Sequence, residues 1–321
     1  MLDSLKICNF RCFENLEVPS LGRVNLIVGK NNTGKSTLLE AVQVFASGGN
    51  TSVLDKILDN RHEFLSDSAN GKIRDSLLDV WQEVSALNAP NVECSISNLD
   101  GSEVVSSRFV DMNKYAIGDA LPAKSAPYAV VNTTLDSETN LAKLWDEVYL
   151  NSEDQFLQDA LHILNPNITS LMFVQRPGTS TGELPQRIAV VKLKGEAKAI
   201  SLKSMGEGIS RLLQIFLHAF FARDGYLMID EFENGLHYSI QAQVLEKIFK
   251  LAKELNIQVF MTTHSKDVIK AFSKVSLASP EEGRLMSLGR NEREVDKKTI
   301  SALVYDEADT KLIAETDMEV R

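Results

Sequence analysis

Two stretches of this chain carry residue types that could do chemistry together. The first, Gly29 to Ser36, reads G-K-N-N-T-G-K-S and fits G-x-x-x-x-G-K-[ST]. Glycines let such a loop curl so that successive N–H groups point inward, and a following helix adds positive potential at its N-terminus. The result is a cradle for the phosphates of a nucleotide, formed by Gly29, Lys30, Asn31, Asn32, Thr33, Gly34, Lys35, Ser36 and Thr37. Lys35 supplies a point charge between the β- and γ-phosphates, and the Ser36 hydroxyl is offered to Mg²⁺. A chain of 321 residues shows this pattern by chance roughly 1% of the time. The bland alternative is a Gly-rich turn ahead of a capped helix.

The second stretch is Tyr226 to Glu231, an apolar run that ends in Asp230-Glu231. Acids in that position come to the C-terminal edge of a parallel sheet, where ligands bind in such folds. Asp230 would hold Mg²⁺. Neighbouring strand residues point to opposite sides, so Glu231 must lie on the turn leaving the strand to face the same site. From there it can orient and deprotonate an attacking water. Standing alone, the pair could equally be an acidic turn.

The elements that must position these groups are legible in outline. Residues 5 to 13 and 23 to 28 read as strands, and Leu38, Leu39, Ala41, Val42 and Phe45 give the helix after the glycine loop an apolar face. Residues 72–87 and 140–164 look helical, with a hairpin over 91–110 turning at Asp100-Gly101. Strands are expected at 168–175, 187–194, 197–202, 226–230 and 257–263, and helices at 208–223 and 239–255. Strand, helix and strand in succession mean a parallel sheet covered by helices. The last fifty or so residues show two short strand-like pieces of opaque role, and Asp306, Glu307, Asp309, Glu315, Asp317 and Glu319 read as a solvated tail.

Composition narrows the function classes. Hydrophobic residues make up 44% and charged residues 24%, which excludes wholesale disorder. Lys plus Arg number 34 against 44 Asp plus Glu, a net charge of −10. That argues against a protein coated in nucleic acid, though not against a local basic groove. Arg187, Lys192, Lys194, Lys198 and Lys203 form a possible basic strip or, equally, a lysine-protected sheet edge. With no long apolar run and charges at Asp3 and Lys6, the expected setting is cytoplasmic, without membrane contact. Cys8, Cys12 and Cys94 fit a reducing compartment as small buried residues; on one strand, Cys8 and Cys12 would lie about 13 Å apart, too far to bridge.

Taken in order, the motifs resemble those of ABC-type ATPase heads, in the RecF, SMC and OLD-like branch rather than the transporter branch. The opening LKICNFRCFENLEV, with Asn9-Phe10-Arg11, resembles the first hairpin of that branch. Ser204-Met205-Gly206-Glu207-Gly208 resembles a degenerate signature motif, with Met and Glu where the transporter form has Gly and Gln. Glu233-Asn234-Gly235-Leu236-His237 falls at the D-loop, and His264 falls at the switch histidine. IDEFENGLH with THS is similar to small stand-alone bacterial ATPases, often described as AAA-type or OLD-like and associated with anti-phage defence.

The resemblance implies an α/β P-loop NTPase with a mostly parallel core sheet, an N-terminal antiparallel β lobe and an inserted helical and β region. Its divisions would be 1–50 and 166–275 for the two halves of the core, 51–165 for the insertion and 276–321 for a C-terminal extension. It implies ATP and Mg²⁺ as ligands, Glu231 and His264 as catalytic residues, and Ser36 and Asp230 on the metal. Ser204, Gly206 and Gly208 would form a second anion site that closes on the nucleotide of a partner copy, in a two-fold dimer with two equal sites. Read without the family, the same S-x-G-x-G is a helix N-cap with a flexible lead-in, and His264 a satisfied histidine. Asn234 and His237 would line the dimer seam. No glutamine between 50 and 165 stands out as a Q-loop residue, and the stretch after His264 is too short for a Toprim nuclease. The expected function is an ATP-hydrolysing switch that controls a separate effector protein; the alternative is a RecF/SMC-like DNA-binding ATPase.

Overall fold

The computed structural model describes residues 1–61, 92–101, 104–109, 125–151, 157, 161–163, 165–175, 186–290 and 299–316. Its centre is a six-stranded sheet of β3 (Val24–Gly29), β6 (Tyr128–Val131), β10 (Tyr226–Ile229), β11 (Gln258–Thr262), β12 (Gly283–Arg290) and β13 (Ile300–Val304). The spatial order is β13-β12-β3-β11-β10-β6, and only the β12–β13 pair is antiparallel. The mostly parallel core sheet expected from the sequence is present. Its three middle strands, β3, β11 and β10, are buried at every residue, as strands covered on both faces must be.

Alternation along those strands divides the core in two. Leu26, Val28, Ile229, Val259 and Met261 face one layer, with α3 (Glu138–Leu150), α4 (Glu207–Phe221), α5 (Tyr238–Glu254) and α6 (Lys266–Leu277). Against the same layer packs an antiparallel sheet of β7 (Ile168–Gln175), β8 (Arg187–Leu193) and β9 (Ile200–Ser201). Ile27, Met228 and Phe260 face the other layer, with α1 (Lys35–Ala46), α2 (Thr51–Asn60) and a second antiparallel sheet. That sheet runs β2-β1-β4-β5, from β1 (Leu5–Phe10), β2 (Phe13–Val18), β4 (Val92–Ser97) and β5 (Val104–Phe109). It is the antiparallel β lobe anticipated from the sequence, extended by the expected hairpin. Leu38, Val42 and Phe45 of α1 are buried between the layers, each worth about 1.5–3 kcal/mol of transfer free energy.

Several sequence expectations need correction. The strand expected over 5–13 breaks at Arg11-Cys12, where the chain reverses into β2, with Asn9 and Arg11 both at φ 51°. Cys8 therefore lies on β1 and Cys12 in the turn itself, and both are half-buried rather than buried. The strand expected over 197–202 is only Ile200–Ser201, followed by a 3₁₀ turn at Leu202–Met205. The C-terminal part is no tail. β12 pairs with β3 inside the central sheet, and Asp306 caps α7 (Glu307–Glu315) by accepting a hydrogen bond from the Asp309 amide at 2.8 Å. The helix expected over 72–87, residues 152–156, 158–160 and 164 of that expected over 140–164, and Asp317 and Glu319 lie outside the described residues.

Candidate active site

The C-terminal ends of β3, β11 and β10 lie side by side, so the segments leaving them share one edge of the sheet. β3 delivers the glycine loop. Asn32 and Gly34 take positive φ, 61° and 88°, and α1 starts immediately afterwards with Gly34 as its N-cap. Gly34 has no room for a side chain, because an added Cβ would sit 2.6 Å from the Phe13 ring and 2.9 Å from Cys12 Sγ. The Thr33 hydroxyl donates to the Lys30 carbonyl at 2.9 Å. Lys35 is buried, and its Nζ donates to the carbonyls of Gly29 (2.9 Å) and Lys30 (3.0 Å). β12 supports the loop from behind: an added Cβ on Gly29 would meet the Leu288 carbonyl at 2.4 Å.

β10 stops at Ile229, one residue before the acid pair. Asp230 meets the glycine loop directly, with Ser36 Oγ 3.1 Å from Oδ2 and 3.3 Å from Oδ1. The Thr262 hydroxyl, at the end of β11, donates to Asp230 Oδ1 at 2.6 Å and accepts from the Glu231 amide at 2.8 Å. Glu231 has φ 47°, a left-handed turn that takes it off the strand, as facing the same site required. Asn234 Nδ2 donates to Glu231 Oε2 at 3.0 Å and so fixes that carboxylate.

His264 follows β11 by two residues and lies beside the acid segment. Its backbone amide donates to Glu233 Oε1 at 2.7 Å, and the Thr263 hydroxyl donates to Glu233 Oε2 at 2.7 Å. The Ser204-to-Gly208 segment joins the same group by packing. An added Cβ on Gly208 would meet the Gly235 carbonyl at 2.5 Å. Gly206, at φ 103°, is the N-cap of α4, while the Ser204 hydroxyl turns back to the Ser201 carbonyl at 2.6 Å. His237 caps α5, accepting from the Ser239 amide at 3.4 Å.

Sequence reasoning overlooked Thr262 and Arg211. Arg211 is 1% exposed on α4, and its guanidinium donates to the carbonyls of Asn132 and Asp230, the latter at 2.8 Å. Burial pushes its pKa down, opposed by the carboxylates of Asp230, Asp136, Glu231 and Glu233. An arginine within the apolar run GISRLLQIFLHAFFAR was the available signal, as was the pair of hydroxyls in MTTHS. One and two turns further along α4, Gln214 and His218 both reach Asp136, at 3.1 and 2.8 Å, tying the loop after β6 to the same helix. Of the five cations in the basic series, Arg187 pairs with Asp146 and Lys203 lies 3.7 Å from Glu138. Lys192, Lys194 and Lys198 are exposed.

Comparison with known proteins bears on this site. Residues 111–269 match the family described as "AAA domain, putative AbiEii toxin, Type IV TA system", and residues 1–84 match the AAA ATPase domain family. The chain is similar to an ATP/GTP phosphatase of Helicobacter pylori, 24% identical over 86% of this chain and 88% of that protein. In fold it is similar to an Smc head bound to the C-terminal winged-helix domain of ScpA, with TM-score 0.56 and 16% identity over 95% and 98% of the two chains. An Smc head with an extended coiled coil from Pyrococcus furiosus, bound to the C-terminal domain of ScpA, gives TM-score 0.55 at 12% identity over 98% of each chain. These matches support ATPase activity of the AAA type, in a fold shared with Smc heads. This ATPase therefore uses the α/β P-loop architecture expected of it. Among its described residues, no helix is long and apolar enough to cross a membrane.

The residues at the site suit Mg-ATP. A hydroxyl and a carboxylate, Ser36 and Asp230, stand 3.1 Å apart at the mouth of the glycine loop, an all-oxygen donor pair of the kind a hard divalent cation takes. The Lys35 ammonium is held within the loop by hydrogen bonds to the carbonyls of Gly29 and Lys30.

Proposed function

We propose that this ATPase is a dimeric switch that binds Mg-ATP at Lys35 and Ser36, hydrolyses it with Glu231 as general base, and through that cycle controls a separate effector protein. The observation that carries the reading is the hydrogen bond between Ser36 and Asp230, which links the glycine loop to the acid pair across 194 residues of chain. In this account the backbone amides from Lys30 to Thr37 and the Lys35 ammonium bind the phosphates. Ser36 and Asp230 hold Mg²⁺. When bound, the metal neutralises charge on the phosphate oxygens.

Glu231, fixed by Asn234 and free of the strand's alternation, orients the attacking water and takes its proton. His264 meets the terminal phosphate, and Ser204, Gly206 and Gly208 of a second copy close over it. The amides that open α4 favour an anion there. Binding energy at two composite sites drives association, and hydrolysis releases it. A role in anti-phage defence is supported by the match to the AbiEii-type family and by the similarity of IDEFENGLH to defence-associated ATPases.

Glu231→Gln tests the reading. The substitution keeps the shape and the Asn234 contact while removing the base, so ATP should bind, persist, and raise the solution mass to that of a dimer. Undiminished turnover would remove Glu231 from the role of base. Recovery of the variant from its host with ATP should bring an effector protein with it; ATP-dependent DNA binding that weakens steeply with salt would instead favour the DNA-binding alternative.

A further inference from the structure

The stretch Asp230 to Asn234 holds three acids, and the proposed chemistry uses only the first two. Glu233 is not a surface carboxylate left over. It is partly buried, and each of its oxygens accepts a 2.7 Å hydrogen bond from the far end of β11. Oε1 takes the backbone amide of His264, and Oε2 takes the hydroxyl of Thr263. That hydroxyl also accepts from the Ser265 amide at 3.0 Å, and the Ser265 side chain caps α6 by accepting from Val268. One carboxylate thus fixes three consecutive residues between the end of a strand and the start of a helix, with His264 in the middle.

A hydrogen bond to a charged acceptor is roughly twice as strong as a neutral one, and two on one carboxylate also set direction. The same short turn carries Asn234, which holds the Glu231 carboxylate. A single loop therefore aligns both groups that face the nucleotide. We propose that Glu233 is a positioning residue that aims His264 at the terminal phosphate. The proposal rests on the reading that His264 meets that phosphate.

Three substitutions separate geometry from charge. Glu233→Ala removes both hydrogen bonds, and ATP turnover should fall about 10- to 100-fold with the dissociation constant for Mg-ATP held within about twofold. Glu233→Gln can still accept from the His264 amide and donate to Thr263 Oγ, so it should restore most of what alanine loses. Glu233→Asp keeps the charge but shortens the reach, and should behave like alanine; it also serves if the alanine protein does not fold. Combined with His264→Ala, the Glu233→Ala change should add less than about threefold, because both act through one group.

The ring ¹H–¹⁵N correlations of His264 report its placement without turnover. They should move in Glu233→Ala and Glu233→Asp and stay in place in Glu233→Gln. Unmoved ring signals in both of the first two variants, or turnover losses that multiply in the double variant, would overturn the proposal. So would a fully active aspartate variant beside a dead glutamine one. Wild-type turnover in His264→Ala would sink the phosphate-sensing role alone, since the ring signals still decide whether Glu233 sets the histidine.

Discussion

Thr262→Val is the sharpest perturbation available at this site, because valine fills the same space without the hydroxyl. Thr262 is 1% exposed, so water cannot replace what is lost. The hydroxyl donates to Asp230 Oδ1 at 2.6 Å and accepts from the Glu231 amide at 2.8 Å. Losing a hydrogen bond to a charged group costs about 1.5–3 kcal/mol, and an orphaned buried amide about 1–3 kcal/mol. Both belong to one hydroxyl and the added methyl recovers part, so the net cost should be about 2–4 kcal/mol. At about 2–4 °C per kcal/mol, the thermal midpoint should fall by roughly 4–16 °C.

Turnover should fall as well, because the same hydroxyl fixes the carboxylate beside Ser36 and the backbone that carries Glu231. A loss of about 10- to 100-fold corresponds to about 1.4–2.7 kcal/mol of transition-state stabilisation. Thr262→Ser keeps the hydroxyl and gives up one methyl, so it should cost only about 1 kcal/mol and stay active. Scanning calorimetry with a steady-state phosphate-release assay on the three proteins is sufficient. If Thr262→Val melts within about 2 °C of wild type and turns over at its rate, the hydroxyl does not organise the acid pair and this reasoning fails.

Two other predictions follow from close contacts. Gly208→Ala should push the turn at Gly235 away from α4, because its Cβ would lie 2.5 Å from the Gly235 carbonyl; we expect a stability loss of about 1–3 kcal/mol, read by urea titration. Burial pushes the Cys12 thiol pKa up, so less thiolate exists at a given pH than for a free cysteine. In a protein carrying Cys8→Ser and Cys94→Ser, iodoacetamide should modify Cys12 several-fold more slowly than a model thiol at neutral pH, with the rate still rising above about pH 9.

How far the sequence discloses this molecule depends on where the chemistry sits in the chain. The phosphate cradle needs its glycines, lysine and serine contiguous, and the acid pair needs only an apolar strand before it, so both can be read locally. Thr262 acts on an aspartate 32 residues away, a relation that only the pairing of β10 with β11 creates. The turn at Arg11-Cys12 has no glycine or proline, since Asn9 and Arg11 supply the positive φ, and so the hairpin reads as one strand. The role of β12 stays opaque in the sequence because GRLMSLGR mixes glycine, serine and arginine with its apolar residues, although four of its eight positions are buried. Arg211 was hidden inside a helix whose apolar residues otherwise describe it fully.

The central claim is that a nucleotide's phosphates lie on the amides of the glycine loop while Asp230 and Glu231 face its terminal phosphoryl group. A crystal structure of the wild-type protein with Mg²⁺ and a non-hydrolysable ATP analogue measures that arrangement. The account predicts phosphates against Lys35, the metal between Ser36 and Asp230, and Glu231 directed at the γ-phosphate. An analogue bound on another edge of the sheet, or a γ-phosphate turned away from the two acids, would contradict it.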